Sequence, residues 1–413
     1  MSLSKKLSFF LLAVFLLMVV SACNSTTSTQ PNTDEQSENP SGTGNTEEQG
    51  PIVIGGTLPL TGPFAETGLY VKDGYEYWVQ QINDNGGLLG RQVELKILDD
   101  QSDQAKAVSL LENIISQENV DLLIGGYPGS TAATQMGLAE QHQMVYISMG
   151  GHMTSFNQGF TYSFGAPPLM GEWWYDGVFD YFASLPEADR PMKAAMITVN
   201  DPVGNAVRTS SLEKLEELGI EVAVDEYYEL PLNSAEPLVI KAKEAGADLF
   251  IANGYFGDGV QTIRAIKAVD YNPKAVLQGI GSLIPSWQAE LGEEGNNVFS
   301  STAMHPDLPF NGVEELNEYS ATKYGGDAPP YFMFGYAWMQ VLGQGVEGAG
   351  SLDQQAIRDW LKSNEVDTVG GKFTFDEKGL PPEYSYATQV IDGRPVIVWP
   401  ADVATEEPVY PYE

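Results

Sequence analysis

From Pro51 onward, short runs of apolar and β-branched residues alternate with longer segments whose apolar positions repeat at helical spacing. Ile52-Val53-Ile54-Gly55-Gly56-Thr57-Leu58 reads as a buried strand, Ala65 to Ile82 as a helix, and Val93 to Leu98 as the next strand. Asp103 to Ser116 follows as a helix with Val108, Leu111 and Ile115 on one face. Val120 to Ile124 and Met144 to Ser148 are strands flanking a helix over Thr131 to Gln141. The same order restarts after about Ala166. It gives helices over Glu172 to Ser184, Val203 to Leu218, Ala235 to Ala245 and Gly259 to Val269. Between them lie strands over Ala194 to Val199, Ile220 to Tyr227, Asp248 to Ala252 and Ala275 to Leu277. Such repetition predicts parallel sheets covered by helices on both faces. Beyond Val298 come helices over Val313 to Lys323, Tyr331 to Val346 and Asp353 to Lys362, and short strands near Phe373, Tyr386 to Ile391 and Val396 to Trp399. These are too few strands for a third lobe. The expected fold is α/β, two doubly wound parallel-sheet lobes, with a tail that completes both and a hinge where the chain crosses between them.

The segment before Pro51 has a different grammar. Lys5 and Lys6 precede Leu7 to Val20, apolar but for Ser8 and too short to span a bilayer comfortably. The run ends in Val20-Ser21-Ala22-Cys23, which resembles the lipobox of bacterial lipoproteins, where cleavage before Cys leaves a thiol for lipid attachment. Two or more acyl chains on Cys23 would anchor the protein stably, where one would be marginal. Asn24 to Gly50 contain no aliphatic or aromatic residue and read as a flexible acidic tether, about 30 Å end to end for a coil of that length. The expected location is outside the cytoplasm, held to the cell membrane.

Composition narrows the function. The 413 residues carry 21 Lys+Arg against 56 Asp+Glu, a formal charge of −35, the wrong sign for a nucleic-acid partner. Cys23 is the single cysteine, so neither a disulfide nor a Cys-metal site is expected in the folded part.

Several stretches then carry a family resemblance. Gly56-Thr57-Leu58-Pro59-Leu60-Thr61-Gly62-Pro63, Gly68, and Ile82-Asn83-Asp84-Asn85-Gly86-Gly87-Leu88-Leu89-Gly90 resemble the opening of the branched-chain amino-acid-type solute-binding proteins of ABC importers, the leucine/isoleucine/valine-binding family. Leu98-Asp99-Asp100 and Ala105-Lys106-Ala107 are similar to its second strand and helix, and Val369 to Gly379 to its final interlobe segment. The resemblance implies a type I periplasmic binding protein fold, two lobes joined by three crossings with ligand trapped between them. On that basis residues 1–22 are a leader and 23–51 the acylated Cys and linker. Residues 52–168 with 299–371 form one lobe, and 169–298 with 372–413 the other. The implied partners are a small-molecule ligand, ABC permease subunits and the membrane, with a monomeric binding protein and no cofactor or metal.

Loops leaving parallel strands converge where strand order reverses, and helix N-termini there present free amides. Tyr127-Pro128-Gly129-Ser130-Thr131 supplies small residues and two hydroxyls at one such place, although Ser130 or Thr131 serves equally well as a helix cap. Met149-Gly150-Gly151-His152 follows the next strand, and a protonated His152 would add positive charge. In the second half Asn200-Asp201-Pro202-Val203-Gly204, Asn253-Gly254-Tyr255-Phe256-Gly257-Asp258-Gly259 and Gly279-Ile280-Gly281-Ser282 occupy strand-end loops. The second of these approaches a dinucleotide fingerprint but has Thr262 at the third glycine position. The resemblance makes Tyr255 an aromatic lid. The ligand set carried over is Thr67, Tyr127, Gly129, Ser130, Thr131, Gly150, Gly151, His152, Val203, Tyr255, Ser282 and Phe332. Phe332, Phe334, Tyr336 and Trp338 otherwise read as helix core; Trp173 and Trp174 fall near the expected cleft rim, although Trp174, Val178 and Tyr181 share a helix face and read as core.

This chain departs from the resembled family where ligand chemistry is decided. Gly129 stands where amino-acid binders have a serine for the carboxylate, Val203 where they have a tyrosine, and the acid-free Gly279 to Ser282 where they have a glutamate for the ammonium. Either Asp258 or Glu66 takes that last role, or the ligand lacks an amine, since an uncompensated buried ammonium is costly. The expected ligand is a small amino acid or related carboxylate with an apolar or aromatic side group. No catalytic motif competes with a binding function. G-x-S-x-G, H-E-x-x-H and a phosphate loop do not occur, and His142, His152 and His305 lack ligand spacing. A sensory receptor on the same fold and an extracytoplasmic enzyme remain as other classes.

Overall fold

The computed structural model describes residues 50–383 and 385–412. The leader, Cys23 and the linker through Gln49 lie outside the described residues.

The first sheet forms from β1 (Ile52–Leu58), β2 (Val93–Asp99), β3 (Leu122–Ile124), β4 (Tyr146–Gly151) and β5 (Ser163–Met170). All its pairings are parallel, in the order β2-β1-β3-β4-β5. The connections are α1 (Ala65–Asp84), α2 (Gln104–Gln117), α3 (Gly129–Gln141) and the single turn α4 (Met153–Phe156). Asp103 accepts the Lys106 amide at 2.8 Å, so it caps α2 rather than opening it. β1 and β3 are neighbours whose chains leave in opposite directions, which opens a crevice at their carboxyl ends.

The second sheet repeats this logic. After a 3-10 turn at Gly171–Trp173 come α5 (Asp176–Ser184), β6 (Lys193–Val199), α6 (Pro202–Glu217), β7 (Glu221–Tyr228), α7 (Glu236–Glu244) and β8 (Leu249–Asn253). Then follow α8 (Phe256–Ala268), β9 (Ala275–Gln278), α9 (Ser286–Leu291) and β10 (Phe299–Thr302). Strand order reverses between β6 and β8, giving a second crevice of the same kind.

The tail serves both halves. α10 (Val313–Lys323), α11 (Pro330–Ala349), α12 (Gln354–Ser363) and the small ribbon β11 (Val366–Thr368) and β12 (Gly371–Phe373) return to the first lobe. There α11 packs along α1 so closely that a Cβ on Gly74 would stand 2.3 Å from the Phe332 carbonyl oxygen. The hairpin β13 (Tyr386–Ile391) and β14 (Arg394–Trp399) then adds antiparallel to β10.

The two-lobe α/β expectation holds, with three crossings, but two of the boundaries shift. β10 pairs with β9 and β13, so residues 299–302 belong to the second sheet and not to the first lobe. The third crossing comes later than residue 371. Gly379 still accepts the Gly165 amide at 2.9 Å and Leu380 is buried with Leu111 and Phe156, whereas Ser385 bonds the Gly177 amide.

Candidate ligand-binding site

In the first lobe the crevice is walled by the chain leaving β3. The Tyr127 ring meets Phe64 edge-on at 6.1 Å and Tyr331 at 5.5 Å, and its hydroxyl interacts with those of Thr67 and Tyr331. Burial pushes that phenol up, so it stays neutral. α3 then starts at Gly129, and the first amides of a helix have no acceptor within it. Two glycines let the loops after β3 and β4 touch backbone to backbone. A Cβ on Gly129 would lie 2.5 Å from the Gly151 Cα, and Gly151 itself has a left-handed φ of +80°.

In the second lobe two carboxylates face this wall. Asp201 ends the chain leaving β6 and caps α6, its Oδ1 accepting the Gly204 amide at 2.7 Å. Its Oδ2 accepts the Tyr255 hydroxyl at 2.6 Å. Tyr255 follows β8, and Asp258 accepts its amide at 3.0 and 3.1 Å while also taking the Tyr228 hydroxyl. Burial raises the Asp258 pKa against the pull of these hydrogen bonds. Gly254 is what admits this carboxylate, because a Cβ there would fall 1.9 Å from Asp258 Oδ2.

The two crevices meet. The Tyr255 ring lies 4.9 Å from Phe64 of the opposite lobe, and the Ser286 hydroxyl donates to Glu66 at the rim. A space of about 10 Å³ remains between the lobes, lined by Tyr127, Gly129, Met149 and Gly151 on one side. Trp174, Val203, Tyr255 and Ile280 close it on the other. A recess of about 30 Å³ continues from there into the second lobe among Trp174, Tyr175, Val199, Val207 and Asn253. Neither space is lined by a lysine or arginine. Together they hold little more than one water, so a ligand of amino-acid size enters only as the lobes separate or Tyr255 moves.

Of the residues expected from the sequence, the structure brings Tyr127, Gly129, Gly151, Val203 and Tyr255 together on the interlobe space. Thr67 stands behind the Tyr127 hydroxyl. Ser130 and Thr131 occupy the first turn of α3, where the Ser130 carbonyl accepts from Gln104 at 2.9 Å. Gly150 lies within β4. His152 packs its ring against the Ser155 hydroxyl, and burial lowers its pKa, so it is neutral at pH 7 and adds no positive charge. Ser282 is buried two residues past Ile280, which takes the lining position instead. Phe332 faces elsewhere. Its ring lies among Tyr77, Tyr319 and Tyr324, and the aromatic group that α11 presents to Tyr127 is Tyr331.

The ligand set expected from the sequence lacks Trp174, Tyr175, Ile280 and Asp201, although the sequence places Trp174 near the cleft rim and Asp201 and Ile280 on strand-end loops. It had Glu66 or Asp258 as counter-charge. Glu66 is engaged at the rim and Asp258 is held by two donors, whereas Asp201 bonds the lid itself.

Comparison with known proteins agrees with this architecture. A periplasmic binding protein family model matches residues 51–395. The Leu/Ile/Val-binding protein homolog 1 of Brucella abortus is 25% identical over 336 residues, 80% of this chain and 87% of that protein. The branched-chain amino acid transporter substrate-binding protein of Streptococcus pneumoniae, solved with isoleucine, superposes with a TM-score of 0.75 at 19% identity, covering 87% of this chain and all of that one. An ABC transporter solute-binding protein of R. palustris, solved with benzoate, gives 0.74 at 18% identity over 84% and 96% of the two chains. The chain belongs to the periplasmic binding protein family and has the type I fold of its branched-chain amino-acid-type members.

Proposed function

We propose that the protein is an extracytoplasmic solute-binding protein that captures a small amino acid, or a related apolar or aromatic carboxylate, between its lobes and delivers it to an ABC permease. The observation that carries this reading is the opposed chemistry of the two crevices. Amides and hydroxyls at the start of α3 suit an oxyanion, Asp201 across the gap suits an ammonium, and the lining between them is apolar or aromatic. With no lysine or arginine lining either space, a zwitterion balances the site better than a plain anion. The isoleucine and benzoate complexes of the structural neighbours support the ligand class.

A thermal-shift panel of amino acids, benzoates, their amides and sugars tests the class. At a ligand concentration a hundredfold above Kd, a cognate ligand adds about 2.7 kcal/mol to the native state. Ser130→Ala is expected to weaken binding by roughly ten- to a hundredfold, the scale of one hydrogen bond to a charged group. Stabilisation by amides or sugars alone would remove the carboxylate from the reading.

Anchoring is the second part of the proposal. A lipidated Cys23 holds the binding protein to the membrane beside its permease. Cys23→Ala is expected to move it from the membrane fraction to the soluble one or to stall its processing, and full membrane retention with normal maturation would refute the anchor.

A further inference from the structure

The recess behind the interlobe space carries chemistry that an aliphatic or plain aromatic side chain leaves unused. Three of its lining residues are almost wholly buried, Trp174 at 7% exposure, Tyr175 at 1% and Asn253 at 2%. Trp174 Nε1, the Tyr175 hydroxyl and Asn253 Oδ1 all lack a hydrogen-bond partner. Buried polar groups are nearly always paired, because each unpaired one forfeits its hydration without return. Here the three residues that carry such atoms line one recess. Asn253 is fixed by its own Nδ2, which donates to the Thr198 hydroxyl at 3.2 Å and leaves Oδ1 as the free acceptor. Trp174 Nε1 is a donor only, and a phenol does either.

We infer that this recess is a specificity subsite of the binding cleft, taking a neutral group that both accepts and donates, a hydroxyl or a carboxamide, at the end of the ligand remote from its carboxylate. The inference rests on the proposed amino-acid or carboxylate reading and narrows it. A second carboxylate is opposed at this end by Asp201 and Asp258, which sit on the loops that frame the recess. A cationic end would answer Asn253 Oδ1 and leave the Trp174 donor unanswered. A hydroxyl or amide answers both while its carbon skeleton packs on Val199, Val203 and Val207.

Isosteric pairs give the test, since they hold shape constant and change only this group. Titration calorimetry compares L-asparagine with L-leucine, L-threonine with L-valine, and 4-hydroxybenzoate with benzoate, on the wild type, Asn253→Leu and Trp174→Phe. The polar member of at least one pair is expected to bind at least tenfold tighter than its isostere. Either substitution should erase that preference, read as the ratio of the two affinities within each pair, whatever it does to the affinity of the apolar partner itself. Two variants are used because Asn253→Leu also removes the bond to Thr198, and circular dichroism checks that each is folded. Apolar members binding tighter in every pair, L-lysine binding tighter than all of them, or a preference that survives both substitutions would overturn the subsite and leave the wider reading standing. If no amino acid or benzoate binds at all, the proposed function falls and the subsite falls with it.

Discussion

Gly335→Ala is expected to lower the melting temperature of the protein by about 2–4 °C, although alanine is the better helix former by about 1 kcal/mol. The reason lies in how α11 meets α1. A Cβ on Gly335 would stand 2.2 Å from the Val71 carbonyl oxygen and 2.9 Å from the Val71 carbonyl carbon. Both are backbone atoms of α1, so no side-chain rotation relieves the contact and the helices must part. Overpacking of this kind costs about 1–3 kcal/mol, and more where backbone meets backbone, which outweighs the propensity gain. Gly74→Ala makes the reciprocal clash with the Phe332 carbonyl oxygen at 2.3 Å. Because one displacement of α11 relieves both contacts, the double variant should lose less than the sum of the single losses. Denaturation curves for the three variants check this, and a melting temperature for Gly335→Ala at or above that of wild type would show that the helices are not in backbone contact.

The sheets were legible in the sequence because their strands are apolar β-branched runs and their helices have clear periodicity. What escaped has local causes. β5 reads Ser163-Phe164-Gly165-Ala166-Pro167-Pro168-Leu169-Met170, and a glycine and two prolines hide a strand. β10 is four residues long, three of them hydroxyl-bearing, and only its neighbours β9 and β13 make it a strand. Missing it put the second lobe's boundary too early.

The site was legible where a strand end met glycines and illegible where register decided. α11 buries residues all round its circumference, so periodicity could not tell whether Tyr331 or Phe332 looks toward the cleft, and one residue is about 100° of helix. Trp174 sits near the cleft rim in the sequence order, yet its helical spacing with Val178 and Tyr181 points to core. The helix begins only at Asp176, after a 3-10 turn at Gly171–Trp173, so that spacing does not govern Trp174, and its ring borders the cleft. Asp201 looked like an ordinary N-cap. It is one, and its second carboxylate oxygen is free to hold Tyr255 because capping uses only the first.

Gly129→Ala, in contrast to Gly335→Ala, is expected to weaken ligand binding at least a hundredfold with a small loss of stability. The added methyl would meet the Gly151 Cα at 2.5 Å, so the loops after β3 and β4 must separate. These loops lie at the carboxyl edge of the sheet, where displacement disturbs little of the core, and about 1 kcal/mol of stability is a reasonable cost. The geometry of the site has no such tolerance. The start of α3 and Gly151 together form one wall of the interlobe space, and Val203 of the opposite lobe would be only 3.4 Å from the new methyl. A shift of about an ångström there both misplaces the helix amides and props the lobes apart, and an error of that size alone can cost about a hundredfold in recognition. Calorimetry with the ligand identified from the panel measures the affinity, and small-angle scattering measures whether compaction on binding is lost with it. Wild-type affinity in Gly129→Ala would show that the ligand does not touch this wall, and the carboxylate would then have to be sought elsewhere in the cleft.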